Sequence, residues 1–414
     1  MTAVTKRATQ PVVLCVVGTR PEVIKMAPVV TALRRRPELQ VRILLTGQHR
    51  HLLDQSLATF GLRGDADLDV MRPNQTLSGL TARILEALDP VLEHDPPALV
   101  LAQGDTTTVM ATAIACFHRN VPFGHVEAGL RTGDLRYPFP EEFNRIVAGR
   151  VAALNFAPTE GARRALLREG IADSTIHVTG NTVIDALLEV AERCGAPPVT
   201  LPEGRRLMLM TMHRRENFGA PAASVLEAVR ELCAAFPDLI VLYPVHPNPN
   251  VRGLAEAALS SHPQVYLTGP LDYESLVAAM KHATLVLTDS GGLQEEAPAL
   301  GKPVLVLRNE TERPEAVELG VARLIGTDRA RVVAEVSRLL TDPAAYEEMA
   351  KGISPYGDGH AAERITEVVV RQVAGSQPAG AASALGTESP WAHGHITGSL
   401  QLQERRAVQP SRPE

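Results

Sequence analysis

Acidic side chains recur at the ends of predicted strands in the first half of the chain. Asp105 follows the apolar run 98–102, and Glu127 follows the run 123–126. Glu141 lies in the loop segment further along. Carboxylates crowded at one edge of a sheet push their pKa values apart, which can provide an acid and a base at neutral pH. These residues therefore predict acid–base chemistry. The alternative is that Asp105 and Glu141 only cap the helices that follow them.

A glycine-containing turn in the second half could bind a diphosphate. Segment 288–296 follows an apolar run and contains a Gly-Gly pair, so a strand leads into a turn that opens a helix. Bare backbone N–H groups at such a helix start favour a diphosphate. Glu296, about one turn inside the helix, could accept both hydroxyls of a ribose, and Arg313 supplies a cation after the next strand. The alternative is an unoccupied glycine turn.

Three further segments place cations or a histidine after predicted strands. Gly18 permits a tight turn after the first strand, and Arg20 and Lys25 flank the start of the next helix, where an anion is favoured. His213 follows a strand of the second half and could donate a hydrogen bond to a phosphate or transfer a proton. The alternative for Arg20 and Lys25 is that they are solvated cations at an ordinary turn. The alternative for His213 is that it is a structural histidine. For His246, after the next strand, structuring of its own loop is the preferred interpretation.

Short apolar runs that could position these residues alternate with segments of helical period. Continuous apolar strands bounded by helices are typical of parallel sheets covered on both faces. Two sets of six strands indicate an α/β fold of two doubly wound domains rather than one barrel, although strand number alone leaves both open. A hinge is predicted between segment 179–181 and the proline-rich segment 196–204. The predicted strands are 12–17, 41–45, 98–102, 123–126, 154–157, 176–178, 207–211, 239–243, 265–267, 284–287, 303–307 and 322–325.

Composition and motifs argue against several classes of protein. The 414 residues carry a net charge of -6 with a pI of about 6.1, which is not the basic character of a nucleic-acid binder. The four cysteines are too widely spaced for a C-x-x-C site and predict buried, reduced thiols. Apolar runs are too short for a signal peptide or a membrane span, so a cytoplasmic location without membrane contact is expected.

Sequence motifs for cofactors and metals are missing as well. The chain has no P-loop, no H-E-x-x-H and no nucleophile elbow. The nearest dinucleotide pattern, at 357–362, does not follow a predicted strand and is rejected as a nicotinamide site. No cofactor and no metal are therefore predicted.

The motifs together resemble those of the non-hydrolysing UDP-N-acetylglucosamine 2-epimerases. The resemblance extends from about residue 12 to about residue 373. It rests on blocks that occur in the same order as in that family, at 18–25, 104–108, 125–133, 140–145, 213–217 and 290–313. A single block would be weak evidence for the resemblance, but the occurrence of all six blocks in the same order is specific to the family.

The resemblance implies a GT-B arrangement, in which a cleft separates two Rossmann-like domains, and it implies a homodimer. The first domain would comprise residues 1–180 and a crossover helix at 360–373. The second, which would hold most of the nucleotide, would comprise residues 181–359. Residues 374–414 are expected to form a disordered tail without function.

The resemblance also implies roles for individual residues. Leu276 lies where some members of the family place an aromatic side chain near the uracil, and Gln48 and His49 match part of a second, activating substrate site. The residues that match acid–base groups are Asp105, Glu127 and Glu141, with His213 as a further catalytic candidate. The residues that match substrate contacts are Arg20, Lys25, Asp105, Glu127, His213, Leu271, Leu276, Ser290, Gly291, Gly292, Glu296 and Arg313.

The implied reaction is reversible inversion at C2, which converts UDP-N-acetylglucosamine into UDP-N-acetylmannosamine. Because the C2 hydrogen of an N-acetylhexosamine is not acidic, it cannot simply be removed and replaced. One route oxidises C3 and needs a nicotinamide. The other expels UDP from C1 as the C2 proton leaves, and the resulting glycal adds UDP again after protonation on the opposite face. That route needs a carboxylate and groups that stabilise the diphosphate. The sequence leaves open which carboxylate removes which proton.

Three other functions compete with epimerisation. A GT-B glycosyltransferase would share the architecture and the nucleotide site, but three carboxylates favour elimination chemistry. A hydrolysing epimerase would release free N-acetylmannosamine. A UDP-sugar sensor would bind without turnover, which the intact carboxylates argue against. The pathway that uses the product, for a cell-surface polymer or for a specialised metabolite, stays open.

Overall fold

Two groups of strands form the centre of the molecule. The computed structural model describes residues 10–47 and 50–375. Within these residues the strands of the first half are β1 (Val12–Val17), β2 (Gln40–Leu45), β3 (Ala66–Asp67), β4 (Leu99–Gln103), β5 (Phe123–Val126), β6 (Leu154–Ala157) and β7 (Ile176–Val178). Those of the second half are β8 (Arg206–Thr211), β9 (Leu239–Pro244), β10 (Val265–Thr268), β11 (Ala283–Thr288), β12 (Val304–Val306) and β13 (Ala322–Leu324). Every predicted strand is present, with ends that differ by one residue at most, and only β3 was not predicted.

Helices connect the strands. Those of the first half are α1 (Arg20–Arg34), α2 (Arg50–Thr59), α3 (Leu77–His94), α4 (Thr107–His118), α5 (Glu141–Val151), α6 (Glu160–Arg168) and α7 (Thr182–Arg193). Those that follow are α8 (Ala220–Ala235), α9 (Pro249–Leu259), α10 (Tyr273–His282), α11 (Gly291–Ala299), α12 (Pro314–Glu318), α13 (Arg329–Thr341), α14 (Pro343–Met349) and α15 (Ala361–Gly375). Short 3-10 turns occur at Asp173–Thr175 and Arg215–Asn217.

The two sheets share one winding pattern. The first has the order β3-β2-β1-β4-β5-β6-β7, and the second has the order β10-β9-β8-β11-β12-β13. All neighbouring strands are parallel. In each sheet the order reverses beside the first strand, at β1/β4 and at β8/β11, which opens a crevice at the carboxyl ends of the strands. The predicted α/β fold of two doubly wound, Rossmann-like sheets is confirmed.

Within the described part of the chain, the backbone crosses between the sheets twice. Val183 and Leu187 of α7 share a buried cluster with Ile24 of α1 and with Leu207 of β8, so α7 packs against both halves. After the second sheet, α15 returns and packs Ile365 into the buried cluster of the first sheet. We call the first sheet with its helices and α15 the first lobe, and the second sheet with its helices the second lobe.

The crossover helix expected at 360–373 corresponds to α15, which extends to Gly375. The rest of the expected tail, residues 376–414, lies outside the described residues. The crossings at about residue 181 and just before α15 support the domain limits 1–180 and 181–359, which we retain as a proposal.

All four cysteines are buried, in strand β1, in helices α4 and α8, and directly after the end of α7. Cys15, Cys116, Cys194 and Cys233 are all free thiols. Burial raises the pKa of Cys15 to about 12, so its thiol stays protonated and unreactive at neutral pH. The prediction of buried, reduced thiols is confirmed. Among the helices of the described residues, none combines the length and the apolar character needed to cross a membrane.

Candidate active site

The start of α11 forms a bare, positively charged cradle in the second lobe. Ser290 occupies the N-cap position, and within the described residues its side chain makes no capping hydrogen bond. A Cβ atom added to Gly291 would lie 3.6 Å from Arg313 Cζ and 3.8 Å from Arg214 Nη2. Two guanidinium groups therefore converge on unsatisfied backbone N–H groups, an arrangement that favours a diphosphate. We call Ser290, Gly291, Gly292, Arg214 and Arg313 the diphosphate cradle.

His213 is held beside the cradle by Asp289. The carboxylate of Asp289 accepts hydrogen bonds from the backbone N–H groups of His213 and Arg214, each at 2.9 Å, and from Asn217 Nδ2 at 3.0 Å. His213 Nδ1 lies 3.1 Å from Asp289 Oδ1. Burial alone would raise the pKa of Asp289, but the hydrogen bonds from His213 and Arg214 hold it below its usual value. Because an ionised carboxylate only accepts, Nδ1 carries the proton and Nε2 remains for a ligand.

A mainly apolar pocket of about 210 Å³ adjoins the cradle. Its walls include Leu271 and Leu276 together with Ser290, Glu296 and His213. Five of the predicted substrate-contact residues of the second lobe, His213, Leu271, Leu276, Ser290 and Glu296, thus line one pocket, whose apolar wall suits a flat base and whose carboxylate suits a ribose. The other three, Gly291, Gly292 and Arg313, belong to the adjoining diphosphate cradle.

His246 also borders this pocket and structures its own loop. Its Nδ1 accepts a hydrogen bond of 3.2 Å from the backbone N–H of Asn248, and its ring stacks on that of His213 with centroids 6.0 Å apart. The loop-structuring interpretation of His246 is confirmed.

Glu296 is a buried carboxylate at the pocket wall. Tyr273 Oη donates to Glu296 Oε1 at 2.8 Å, which leaves Oε2 beside Gly292. Burial raises the pKa of Glu296 to about 7, although the Tyr273 hydrogen bond acts in the opposite direction. Near neutral pH the group is therefore divided between its neutral and ionised forms.

We expect UDP to bind more tightly as the pH rises through about 7. Only the ionised form of Glu296 accepts two ribose hydroxyls, so the apparent Kd should fall by up to about tenfold between about pH 6 and about pH 8. Isothermal titration calorimetry across this range measures the effect. Glu296→Gln cannot titrate and serves as the control, because the phosphate of UDP titrates equally with both proteins. Parallel pH dependences in the two proteins would remove Glu296 from the ribose site.

Glu127 is a buried carboxylate of the first lobe that accepts hydrogen bonds from three side chains. Lys25 Nζ donates to Glu127 Oε1 at 2.7 Å and to Oε2 at 2.8 Å, Gln103 Nε2 also donates to Oε2, and Asn181 Nδ2 donates to Oε1 at 3.1 Å. Burial alone would raise the pKa of Glu127, but Lys25, Arg313 and Asn181 together hold it below its usual value. Its backbone is left-handed, with φ of 65°. A non-glycine residue held in this region is typical of functional sites.

Asp105 follows β4 and faces the cleft beside Arg145. Arg145 Nη2 lies 2.8 Å from Asp105 Oδ2, and Asn144 Nδ2 donates to the backbone carbonyl of Asp105 at 2.8 Å. Thr106, not Asp105, caps α4, because its Oγ1 accepts from Val109 N. The capping interpretation is therefore wrong for Asp105. Burial raises the pKa of Asp105 and Glu127 adds to this, whereas Arg145 lowers it.

Glu141 is the first residue of α5, and its charge acts on Asp105. The two predicted carboxylates therefore lie close enough to influence each other. Pro140, not Glu141, occupies the N-cap position of α5, so the capping interpretation is wrong for Glu141 as well. A negative charge in the first turn nevertheless stabilises the helix.

Glu22 joins the turn after β1 to the loop that carries Asp105. Gly18 N donates to Glu22 Oε2 at 2.5 Å, and Thr106 Oγ1 donates to Glu22 Oε1 at 2.6 Å. A Cβ on Gly18 would lie 2.3 Å from Thr46 Oγ1, so only glycine fits this turn. Burial raises the pKa of Glu22 to about 7. The motif at 18–25 contains Glu22 but does not predict this role for it.

Glu127 of the first lobe and the diphosphate cradle belong to one hydrogen-bond network. Asn181 Nδ2 donates to Glu127 Oε1 at 3.1 Å and to Glu295 Oε2 at 2.9 Å, and Arg313 Nε donates to Glu295 Oε1 at 2.6 Å. In addition, Arg20 Nη2 donates to the backbone carbonyl of Leu271 at 3.1 Å across the cleft. The structure thus brings the predicted groups of the two lobes together.

Several residues of this network were not predicted as site residues. Asn181 is predicted only at the border of a hinge, and the sequence motifs assign no separate role to Arg214 or Glu295. The sequence signal for Arg214 is its position directly after His213, in a segment that follows a strand. Gln48 and His49 lie outside the described residues, so their activating role stays a prediction.

The fold and the site together define a class of protein. Two Rossmann-like sheets open their carboxyl ends onto one cleft, and the cleft holds a pocket of nucleoside character, a diphosphate cradle and facing carboxylates. These are the features of a GT-B-like protein that binds a nucleotide sugar.

Within this class, the chain belongs to the UDP-N-acetylglucosamine 2-epimerase family. The model of that family matches residues 31–370. The chain is also similar to the UDP-N-acetylglucosamine 2-epimerase of Escherichia coli (strain K12), with 49% identity over 368 residues, which cover 86% of this chain and 98% of the relative.

Solved structures agree in fold. UDP-GlcNAc 2-epimerase from Neisseria meningitidis, crystallised with UDP-GlcNAc, superposes with a TM-score of 0.80 at 42% identity, covering 87% of this chain and 100% of that one. The glycotransferase of kitacinnamycin superposes with a TM-score of 0.61 at 14% identity, covering 88% of this chain and 100% of that one. The second likeness concerns the fold alone.

Proposed function

We propose that the chain is a non-hydrolysing UDP-N-acetylglucosamine 2-epimerase that interconverts UDP-N-acetylglucosamine and UDP-N-acetylmannosamine. One observation carries this proposal: Asn181 and Glu295 link the Glu127 carboxylate of the first lobe to Arg313 of the diphosphate cradle. A sugar whose diphosphate lies in the cradle would therefore present its first carbon atoms to the carboxylates. Membership of the 2-epimerase family supports the same reaction.

The binding step uses groups from both lobes. We propose that Leu271 and Leu276 contact the uracil, that Glu296 accepts the ribose hydroxyls, and that Arg20 and Lys25 face the substrate from the first lobe. The cradle would hold the diphosphate with backbone N–H groups and guanidinium groups. Because these donors are already in place, they stabilise the charge of a departing diphosphate without reorganisation.

The chemical step is an elimination followed by re-addition. A carboxylate takes the C2 proton, the C2–H electron pair becomes the C1–C2 double bond, and the C1–O bond breaks so that UDP leaves with its electrons. A proton then adds to C2 on the opposite face, and UDP re-forms the bond to C1. We propose that Asp105, Glu127 and Glu141 supply the base and the acid, with His213 beside the diphosphate. The opposite pKa shifts of Asp105 and Glu127 suit two groups in different protonation states.

A test of the product separates this reaction from its alternatives. Purified protein would be incubated with UDP-N-acetylglucosamine alone, with a heavy-oxygen label in the bond between C1 and the diphosphate. We expect UDP-N-acetylmannosamine, and we expect the label to move into non-bridging positions of the recovered substrate because the C1–O bond breaks reversibly. Free N-acetylmannosamine as the main product would indicate the hydrolysing reaction. No conversion without an added acceptor would favour a glycosyltransferase.

We further propose a cytoplasmic homodimer. The resemblance to the family supports the dimer. The free, buried cysteines are compatible with the reducing environment of the cytoplasm. Size-exclusion chromatography with light scattering measures the mass directly, and a monomer at working concentration would contradict the dimer.

A further inference from the structure

Asn181 stands where a chain crossing meets the candidate active site. It follows β7 and Gly180, and its backbone N–H donates to the carbonyl of Tyr356, in the returning crossing, at 2.5 Å. The two crossings are in close contact, since a Cβ on Gly180 would lie 3.4 Å from Gly357 Cα. Asn181 is only 3% exposed. Its position is thus fixed by the same contacts that join the lobes.

The two ends of the Asn181 amide have different partners. Oδ1 accepts from Val183 N at 3.2 Å and so caps α7. Nδ2 donates to Glu127 at 3.1 Å and to Glu295 at 2.9 Å. One NH₂ group thereby holds two buried carboxylates that would otherwise repel each other. Capping needs only an oxygen, so the N-cap role does not explain why the residue carries an amide.

We propose that Asn181 is a positioning residue for the epimerase reaction, whose amide keeps Glu127 ionised and correctly oriented while it ties Glu127 to the Glu295–Arg313 pair of the diphosphate cradle. This inference rests on the proposed function, because it assigns Asn181 a role in the carboxylate chemistry stated there. It makes the crossing between the lobes part of the active site.

Several charged or titratable groups face Glu127 besides Asn181. Lys25 of α1 and Arg313 before α12 stabilise its negative charge. Asp105 after β4 and Glu295 of α11 bring two further carboxyl groups to the same region. His125 of β5 is neutral, because burial lowers its pKa to about 4. The Asn181 amide is one of the groups that favour the ionised form of Glu127. Because its removal takes away a hydrogen-bond donor to the carboxylate, the pKa of Glu127 should rise.

Two substitutions distinguish the role of Asn181 as a hydrogen-bond donor from its role as the N-cap of α7. Asn181→Ser keeps an oxygen that can cap α7 but has no amide to hold both carboxylates. Asn181→Asp keeps the cap and the size of the side chain, and it replaces the donor by a third carboxylate. Asp and Ser are both favourable N-cap residues, so α7 should still begin at the same place.

The test is the pH profile of kcat/KM for UDP-N-acetylglucosamine with both variants. We expect kcat to fall roughly 10- to 100-fold through misplacement of Glu127. We also expect the acid limb of the profile to move to higher pH, less for Asn181→Ser and more for Asn181→Asp. Asp328→Asn exchanges carboxylate for amide at the exposed N-cap of α13 and serves as the matched control, with a wild-type profile expected.

A residue with only a structural role would lower activity without moving the pH profile. Wild-type acid limbs in both Asn181 variants, with melting temperatures showing that they are folded, would therefore overturn the inference. Glu127→Gln is measured in parallel. If that variant is inactive while the Asn181 profiles stay unchanged, the positioning role fails and the proposed function stands. If it retains wild-type epimerase activity, the proposed role of Glu127 fails, and the Asn181 inference fails with it.

Discussion

Asp105→Asn is expected to lower kcat by about a hundredfold to ten-thousandfold, the usual contribution of a positioned acid or base. The substitution keeps the size of the side chain and an oxygen that Arg145 can still reach, but it cannot take up or release a proton. UDP binding should change little, because the cradle and the apolar pocket belong to the second lobe. Epimerase rates and UDP calorimetry on the same preparation measure both quantities.

A carboxylate paired with arginine elsewhere provides the control for Asp105. Asp238 pairs with Arg206 Nε at 2.5 Å, at the opposite end of β8 from the cleft. Asp238→Asn should leave kcat at the wild-type value. If Asp105→Asn instead loses UDP binding and keeps its rate, its assignment to acid–base chemistry is wrong.

Arg313→Ala is expected to weaken UDP binding by at least about tenfold, since a hydrogen bond to a charged group contributes roughly 1.5–3 kcal/mol. Arg313 Nε is occupied by Glu295, so the rest of the guanidinium group can face the cradle. Arg313→Lys keeps a positive charge but loses the planar fork, and we expect an intermediate Kd. Calorimetry with UDP gives the three affinities.

The comparison for Arg313 is an arginine of the same lobe that is paired with glutamate. Arg323 of β13 lies 2.9 Å from Glu335 through Nη1, and Arg323→Ala should bind UDP like the wild type. Melting temperatures check that Arg313→Ala is folded, because it also leaves Glu295 without its cation. An unchanged UDP affinity in a folded Arg313→Ala protein would exclude Arg313 from the diphosphate site.

The strands of this fold could be predicted because most of them are continuous apolar runs. A parallel strand buried on both faces needs such a run, and helices on either side give it clear limits. β3 escaped prediction because Ala66–Asp67 is two residues long and adds only to the sheet edge beside β2. No pattern of period two can be read from two residues.

The predicted site residues come together for a reason that the sequence contains. Asp105, Glu127, His213 and Ser290 each follow a strand, and parallel strands bring their carboxyl ends to one edge of a sheet. Which partner each side chain then contacts depends on how the two lobes pack together. The spacing of residues in the sequence does not predict this packing. Asp105 pairs with Arg145 of α5, for example, and its position after a strand does not predict this partner.

Asn181 and Glu295 show the same limit. Glu295 and Glu296 are neighbours in α11 and therefore point in directions about 100° apart, one toward Arg313 and the other toward Tyr273. The position of Glu296 about one turn inside the helix predicts its role, whereas nothing in the sequence predicts the contact of Glu295 with Arg313. The reach of Asn181 to both lobes follows from the contact between the two chain crossings, which only the folded structure contains.

The most direct test of the central claim is proton NMR of the reaction in heavy water. Carboxylates that face a sugar held in the diphosphate cradle should exchange the C2 proton with solvent as C2 inverts. The expected result is UDP-N-acetylmannosamine that carries deuterium at C2, in equilibrium with labelled UDP-N-acetylglucosamine. An inverted product that retains the original C2 hydrogen would contradict proton transfer through these carboxylates.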